Sequence, residues 1–509
     1  LLNKRTYAWY INGRIKVNNA IMVNQTIFQC FHWFHAPEEQ LWKKLKNMVP
    51  WLESLGITKA WLPPAFKSAN GQHEPGYAVY DLYDLGEFDQ KGSIPTRYGT
   101  KDEYIELVRE LKSKNILPIA DLVFNHKLGG DESEMVPARE VNKENRNEFL
   151  TEEMEMEAYT KFYFPGRQGK YSDFVWDWKC FSGFDCDGKI YQIQSEWTQN
   201  AWDYIPDDQF GNYDFLLGCD VEFRNPFVRE ELFRWLDWYI ETTGISSFRL
   251  DAVKHLNPEF SRDVCIHVKE RYGEDNFMVG EYIKHDVGEL IKILEYCDYK
   301  MQLFDFPLHY NLKRAADEGQ DFDLRTIFDG TLTQAVPTHS ISFIDNHDTM
   351  PLETMDSFIP EYFRPTAYSL ILLREHGIPV IFYPDIVSLE YEKEGTHVVL
   401  NEVFGLQEMI KMRNTLAYGF QREYFSAHHL IGWTRPGKEG NGGCAVIISY
   451  DPEAAIEMEM GEENKNRRYK NFMNPHHSII ETDNHGKAVF QANENLLSIW
   501  IPEEFEFSG

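Results

Sequence analysis

Between residue 25 and about residue 415 the chain repeats one theme, a short β-branched or apolar run followed by a segment of helical period. Residues 26–31 read as a strand. Residues 37–55 read as a helix with Leu41, Leu45, Met48, Leu52 and Leu55 on one face and Gly56 as its stop. Lys59–Leu62 is a second strand, closed by Pro63 and Pro64. A helix follows over Lys101–Ser113, then a third strand over 117–124. The theme resumes with helix 227–241, strand 245–250, helix 260–271, strand 277–279, helix 287–294, strands 301–304 and 340–344, helix 363–375, strand 379–382 and a helix near 403–416. Eight strand runs, seven of them followed by a helical segment, predict a closed (β/α)8 TIM barrel. A doubly wound open sheet is the alternative, but no glycine-rich phosphate loop follows the first strand, where a dinucleotide fold needs one.

Two regions depart from the theme. Residues 127–225 hold YFPGRQGKYSDFVWDWKCF and IYQIQSEWTQNAWDY, and are too long for an unstructured loop. They predict an inserted β-rich domain after strand three. From about residue 417 the runs GCAVIISY, KAVFQA and LLSIWIP, punctuated by Gly and Asn, predict a C-terminal antiparallel β-sandwich domain. The expected division is 1–126 (first part of the barrel, with an N-terminal extension), 127–225, 226–416 (second part of the barrel) and 417–509.

Charge bears on partners. Lysine and arginine total 51 against 81 aspartates and glutamates, a net charge of −30. With no basic tract, this rules against a nucleic-acid role and disfavours an anionic membrane surface. A neutral partner such as a sugar is not disfavoured. No run of about 18 apolar residues exists, so no transmembrane helix is predicted. The seven cysteines are odd in number, widely spaced and without a CxxC pair. They read as mostly free thiols in a reducing compartment, with a single Cys180–Cys186 disulfide as the alternative. The opening LLNKRTYAWYING lacks a signal peptide's apolar core. A cytoplasmic monomer is therefore expected, or a secreted one if a leader was removed before residue 1.

The C-terminal ends of barrel strands build the site in this architecture, and here those ends are polar. Asp251, Glu281 and Asp348 follow strands four, five and seven. Converging carboxylates suit glycosidic cleavage, in which one protonates the leaving oxygen and another stabilises or traps an oxocarbenium-like centre. Capping of the strands for solubility or metal binding is the alternative. Arg249, two residues before Asp251, shares its strand face and should keep it ionised. Glu281 has no comparably close cation in sequence, which makes it the better candidate for an acid of raised pKa.

These residues carry a resemblance. Over about residues 25–509 the chain resembles the α-amylases of glycoside hydrolase family 13, most of all the liquefying bacterial type and its intracellular relatives. The motifs are DLVFNH at 121–126, SFRLDAVKH at 247–255, GEY at 280–282 and FIDNHDT at 343–349. A further stretch is GYAVYDLYDLGEFDQKGSIPTRYGTK at 76–101. The resemblance implies endo-hydrolysis of α-1,4-glucosidic bonds in starch, glycogen and maltooligosaccharides by retaining double displacement. Asp251 would be the nucleophile, Glu281 the general acid/base and Asp348 the transition-state stabiliser. A 4-α-glucanotransferase and a non-catalytic glucan-binding protein remain as alternatives. Tyr77, His126, Arg249 and His347 match positions around the reacting sugar, and Lys254 and His255 match the leaving-group side. One Ca2+ is implied between barrel and insert. Asn125, Asp214 and Asp220 would bind it by side chains and His255 by its carbonyl, with Asp203 nearby.

The chain also departs from the family. Ser182, Glu222 and Arg224 stand where liquefying relatives build a further metal cluster, so a lost or altered second site is expected. Ile283 replaces a common tryptophan, Pro384 stands in FYPD where glycine is usual, and VSLEYEKEGTHVV differs from the usual stretch after strand eight. The first 20 or so residues extend beyond the usual start and are expected to form a short hairpin-like segment.

Overall fold

The computed structural model describes residues 24–474, 476 and 479–507. The hairpin-like segment expected near the start lies outside them. Eight parallel strands close into a barrel in chain order: β1 (Ile27–Gln29), β2 (Lys59–Leu62), β3 (Leu117–Leu122), β4 (Phe248–Leu250), β5 (Met278–Gly280), β6 (Gln302–Phe304), β7 (Ser340–Ser342) and β8 (Ile378–Phe382). Closure is made by β1 pairing with β8, with Phe28 opposite Ile381. In the register that matters most for the site, Arg249 of β4 lies opposite Asp121 of β3.

The outer helices are α1 (Leu41–Leu55), α2 (Lys101–Ser113), α3 (Pro226–Thr243), α4 (Pro258–Tyr272), α5 (Val287–Tyr296), α6 (Phe306–Glu318), α7 (Arg364–Leu372) and α8 (Leu406–Thr415). Local chemistry sets their ends. Thr100 and Glu103 form a capping box at the start of α2. Asn225 accepts from the Phe227 N–H ahead of α3, Pro226 occupies its first turn, and Gly244 ends it at φ 75°. Helix α1 buries Leu41, Leu45, Leu52 and Leu55 of the expected face and leaves Met48 partly covered.

The barrel strands are mostly shorter than the apolar runs suggest. The first ends at Gln29 and the third at Leu122, and beyond those points the chain turns away to carry site residues. Helix α6 was not expected from the sequence. Pro307 sits in its first turn, and His309, Tyr310 and Asn311 interrupt the apolar pattern of Leu308, Leu312, Ala315 and Ala316. Asp305 starts it by accepting the Leu308 N–H. After β8, residues Leu389–Lys393 and Thr396–Leu400 form an antiparallel hairpin.

The insert is an antiparallel sheet built on Glu132–Asn142, Met154–Lys161, Phe181–Cys186, Lys189–Ile193 and Cys219–Val221, joined to the barrel side by His126–Lys127. At the C-terminus a six-stranded antiparallel sheet faces the pair Ala455–Glu459 and Lys487–Gln491. Ile456, Met458 and Phe490 of that pair share a core with Ile447 and Trp500 of the larger sheet. All seven cysteines are free thiols, including Cys180 and Cys186. No helix among the described residues is long and apolar enough to cross a membrane.

Candidate active site

Arg249 is the hub of the barrel mouth. Its fully buried guanidinium contacts Asp251 and Asp121 through Nη1, the latter at 2.7 Å, and Glu281 Oε1 through Nη2 at 2.6 Å. Adjacent strand ends bring these groups together, and the chain geometry tightens the arrangement. Ala252 takes a left-handed conformation, φ 48° and ψ 40°, an uncommon one for a residue with a side chain. This turns the chain sharply after Asp251 and leaves the Ala252 N–H 3.3 Å from Glu281 Oε2. Gly280 packs closely beneath Glu281: a Cβ there would stand 3.0, 3.1 and 3.1 Å from the side chains of Met301, Leu303 and Val253, which would have to shift by a few tenths of an ångström.

The expectation that Glu281 lacks a close cation is therefore corrected. The sequence separates Glu281 from Arg249, but β4 and β5 are neighbours in the barrel. Three carboxylates thus face one guanidinium. Burial pushes Asp251 up to about 7; Arg249 opposes the shift, while Glu281 and Asp121 add to it. Asp348 is also pushed well up by burial and by Glu281 and Asp251. Asp251 and Asp348 thus hold their protons above the ordinary carboxylate range.

An aromatic wall stands beside the carboxylates. Tyr77 stacks on His347 with ring centroids 5.1 Å apart and planes 12° apart, and Trp33 stacks on Tyr77 at 5.4 Å. The Tyr77 hydroxyl donates to Asp121 at 2.7 Å, which also accepts from Trp61 Nε1 at 3.1 Å. His347 Nδ1 lies 3.1 Å from Gln29 Nε2, and its Nε2 lies 3.4 Å from Asp348. Burial lowers His347 and brings His126 down to about 4, so both rings are neutral at neutral pH. His126 Nε2 sits 2.8 Å from the Tyr77 carbonyl.

Lys254 and His255, just after β4, face the insert. Lys254 pairs with Asp207 at 3.2 Å, and Lys284 reaches the same carboxylate at 3.0 Å. His255 Nδ1 meets the Tyr213 carbonyl at 2.7 Å. Ile283 is partly buried against the core, and Pro384 fits a helical turn over Tyr383–Asp385. Asp121 stands in the DLVFNH motif but was given no role from sequence, and Trp33, Gln29 and Asp207 were not singled out. The alternation of β3 could have found Asp121, but Trp33 and Gln29 carry no local signal.

Asn125, Asp203, Asp214 and Asp220 are all buried and are linked in pairs. Asn125 Nδ2 donates to Asp220 at 3.2 Å, and Asp214 accepts the Asp203 N–H at 3.0 Å. Asn125 Oδ1 and Asp203 Oδ2 are buried without a hydrogen-bond partner. Burial pushes Asp220 up to about 8, and pushes Asp214 well up with help from Asp220 and Asp203. Buried carboxylates that repel one another, with two oxygens left without a donor, suit a hard cation. Ser182 donates to Asp220, while Arg224 grips both oxygens of Glu222 at 2.7 and 2.6 Å. Elsewhere, a buried cluster of His32, His35 and Glu39 could also hold a metal ion.

Known proteins match this chain along most of its length. A family model described as alpha amylase, catalytic domain, covers residues 42–415. The cytoplasmic alpha-amylase of Escherichia coli (strain K12) is 39% identical over 494 residues, covering 95% of this chain and 100% of that protein. The glucan 1,4-alpha-maltohexaosidase of Bacillus sp. (strain 707) is 39% identical over 94% of this chain and 92% of its own length. The alpha-amylase of Bacillus licheniformis is 37% identical over 95% of this chain and 94% of its own. Among solved structures, alpha-amylase I from Eisenia fetida aligns with TM-score 0.64 at 14% identity, covering 94% of this chain and 97% of that one. That likeness is one of fold.

Proposed function

The chain belongs to the alpha-amylase family, and from that premise we propose that it is an endo-acting glycoside hydrolase that cleaves α-1,4-glucosidic bonds in starch, glycogen and maltooligosaccharides with retention of configuration. The observation that carries this reading is the single guanidinium of Arg249 bridging Asp251 and Glu281. It holds the two carboxylates to one cation at adjacent strand ends, and a retaining pair should stand about 5–5.5 Å apart.

In the first step a carboxylate oxygen of Asp251 bonds to the anomeric carbon. The bond from that carbon to the glycosidic oxygen breaks, and the proton of Glu281 passes to the departing oxygen. In the second step Glu281, now a carboxylate, takes a proton from water. The water oxygen bonds to the anomeric carbon and Asp251 leaves. Two inversions restore the α configuration. Asp348 accepts hydrogen bonds from the hydroxyls of the flattened ring, so its help is greatest in the transition state. Tyr77 offers its ring as a platform, His126 and His347 offer neutral imidazoles to sugar hydroxyls, and Lys254 and His255 face the leaving group. Glu281→Gln and Asp251→Asn should each lower kcat on soluble starch by about 10²–10⁴-fold or more. Near-normal turnover in either variant would sink the assignment.

One Ca2+ fits the cluster of Asn125, Asp214, Asp220 and the His255 carbonyl, with Asp203 beside it. The two partnerless buried oxygens and the mutual repulsion of the carboxylates support it. Asp203, Asp214 and Asp220 do not bring one oxygen each within 4.8 Å of the others. Opposite ligands in a calcium shell stand about 5 Å apart, twice the 2.3–2.6 Å bond, so a spread set of oxygens is compatible with such an ion. Bound there, the cation would neutralise buried charge and tie the insert to the segment just after Asp251. With Arg224 committed to Glu222, one such ion is expected rather than a cluster. Seven free thiols, and the E. coli relative's description as cytoplasmic, support work in a reducing compartment.

A further inference from the structure

His32, His35 and Glu39 lie on the segment that leaves β1, apart from both the carboxylate cluster and the oxygen-rich space. Among the described residues, no other trio of histidine, cysteine, aspartate or glutamate places one ligand atom from each within 4.8 Å of the others. The two imidazoles are buried, with centroids 3.6 Å apart, and both pack against the ring of Tyr383 at 5.4 and 5.3 Å. His35 Nδ1 sits 3.0 Å from Glu39 Oε2. His35 is wholly buried, and its Nε2 has no hydrogen-bond partner.

The geometry points to a site for one divalent first-row transition cation, of the Zn2+ or Co2+ class, held by His32, His35 and Glu39. The donor set decides the class. Two imidazoles and one carboxylate suit Zn2+, Co2+, Ni2+ or Cu2+, whereas calcium and magnesium take oxygen shells. Three protein ligands with an open fourth position form a complete zinc site. Ligand atoms around a tetrahedral zinc stand about 3.3 Å apart, as follows from bonds of about 2.0–2.1 Å. The contact between His35 Nδ1 and Glu39 already has that scale, and His32 brings a ligand atom within 4.8 Å of one on each of the other two residues.

Loading replaces the hydrogen bond between His35 and Glu39 and displaces two further contacts. Lys44 Nζ lies 3.1 Å from the same Glu39 oxygen, and its side chain is 39% exposed, so it can withdraw into water. The Phe34 N–H donates to His32 Nδ1 at 3.1 Å and must give up that bond as the imidazole takes the metal. Arg97 stays in place, its Nε on the His35 carbonyl at 2.5 Å. Between the two histidines lie Trp33, stacked on Tyr77, and Phe34, stacked on Tyr391 of the hairpin after β8 at 4.0 Å. A cation on these side chains would hold the segment that carries both rings.

The test uses the full chain in excess Ca2+, which keeps the oxygen-rich site filled, titrated with Co2+ and then competed with Zn2+. The expected result is one Co2+ per chain with the visible bands of a four-coordinate N/O site, displaced by one Zn2+. His32→Gln with His35→Gln should weaken binding by more than about tenfold, since even outer-shell changes cost about 10–100-fold. Lys44→Gln leaves all three ligands in place and should tighten binding by removing the competing cation. No four-coordinate Co2+ spectrum in the wild-type chain, or affinity unchanged in both the double variant and Lys44→Gln, would overturn the assignment.

Discussion

Arg249 Nη2 and Glu281 Oε1 stand 2.6 Å apart across neighbouring barrel strands, while Nη1 of the same guanidinium holds Asp251 and Asp121. One cation therefore organises both members of the proposed catalytic pair. It sets their spacing, and it compensates only part of their charge.

Removing that cation should be felt first in stability. Arg249→Met leaves three buried carboxylates facing one another. Breaking a buried ion pair by deleting one partner typically costs about 3–5 kcal/mol. Urea unfolding of the variant should show a midpoint well below wild type, with activity lost as well. A midpoint equal to wild type would mean that the carboxylates are neutral without the arginine.

The Tyr77 ring and hydroxyl have separable parts to play. Tyr77→Phe loses only the 2.7 Å bond to Asp121, and kcat/KM on a maltooligosaccharide should fall by up to about tenfold, the size of one net hydrogen bond. Tyr77→Ala also removes the ring stacked on His347 and should fall further. Equal losses in the two variants would assign the whole effect to the hydroxyl.

The barrel was legible because each buried strand is a short apolar run and each helix shows a 3.6-residue period, as at Leu41, Leu45, Leu52 and Leu55. Helix α6 was not, because Asp305 and Pro307 start it with turn-like residues and its exposed face blurs the pattern. At the site, residues inside strand-end motifs could be singled out from sequence. The pairing of Glu281 with Arg249 could not, since a contact between adjacent strands leaves no trace in sequence spacing. The same holds for Trp33, which reaches Tyr77 and His347 only because β1 and β7 open onto one mouth.

The pH profile follows from burial. Asp251 is pushed up to about 7 from the usual carboxylate range, and a nucleophile must be deprotonated. Activity should therefore rise with pH through the acid limb of kcat/KM, and that limb should lie well above pH 4, toward 7. An acid limb near pH 4 would show that substrate-free Asp251 is ionised throughout, as an isolated ion pair with Arg249 would make it.

Calcium should stabilise the fold by mass action, because the proposed ligands are assembled only in the folded state. Chelation should lower the melting temperature and activity, and added Ca2+ should restore both. Asp220→Asn should weaken that response. Metal analysis after dialysis against Ca2+ should count one tight ion. Two or more would contradict the reading of Ser182 and Arg224, and no response to chelator would remove the site.

The central claim, that Asp251 attacks the anomeric carbon while Glu281 supplies and then takes back the proton, is tested most directly by trapping the glycosyl-enzyme. A fluorinated glycosyl fluoride, which slows the second step, is incubated with the Glu281→Gln protein, and the digested protein is mapped by mass spectrometry. The account predicts one glycosyl unit per chain, carried by Asp251 as an ester. A label on Asp348 or Asp121, or turnover of substrate with no covalent species on any carboxylate, would contradict it.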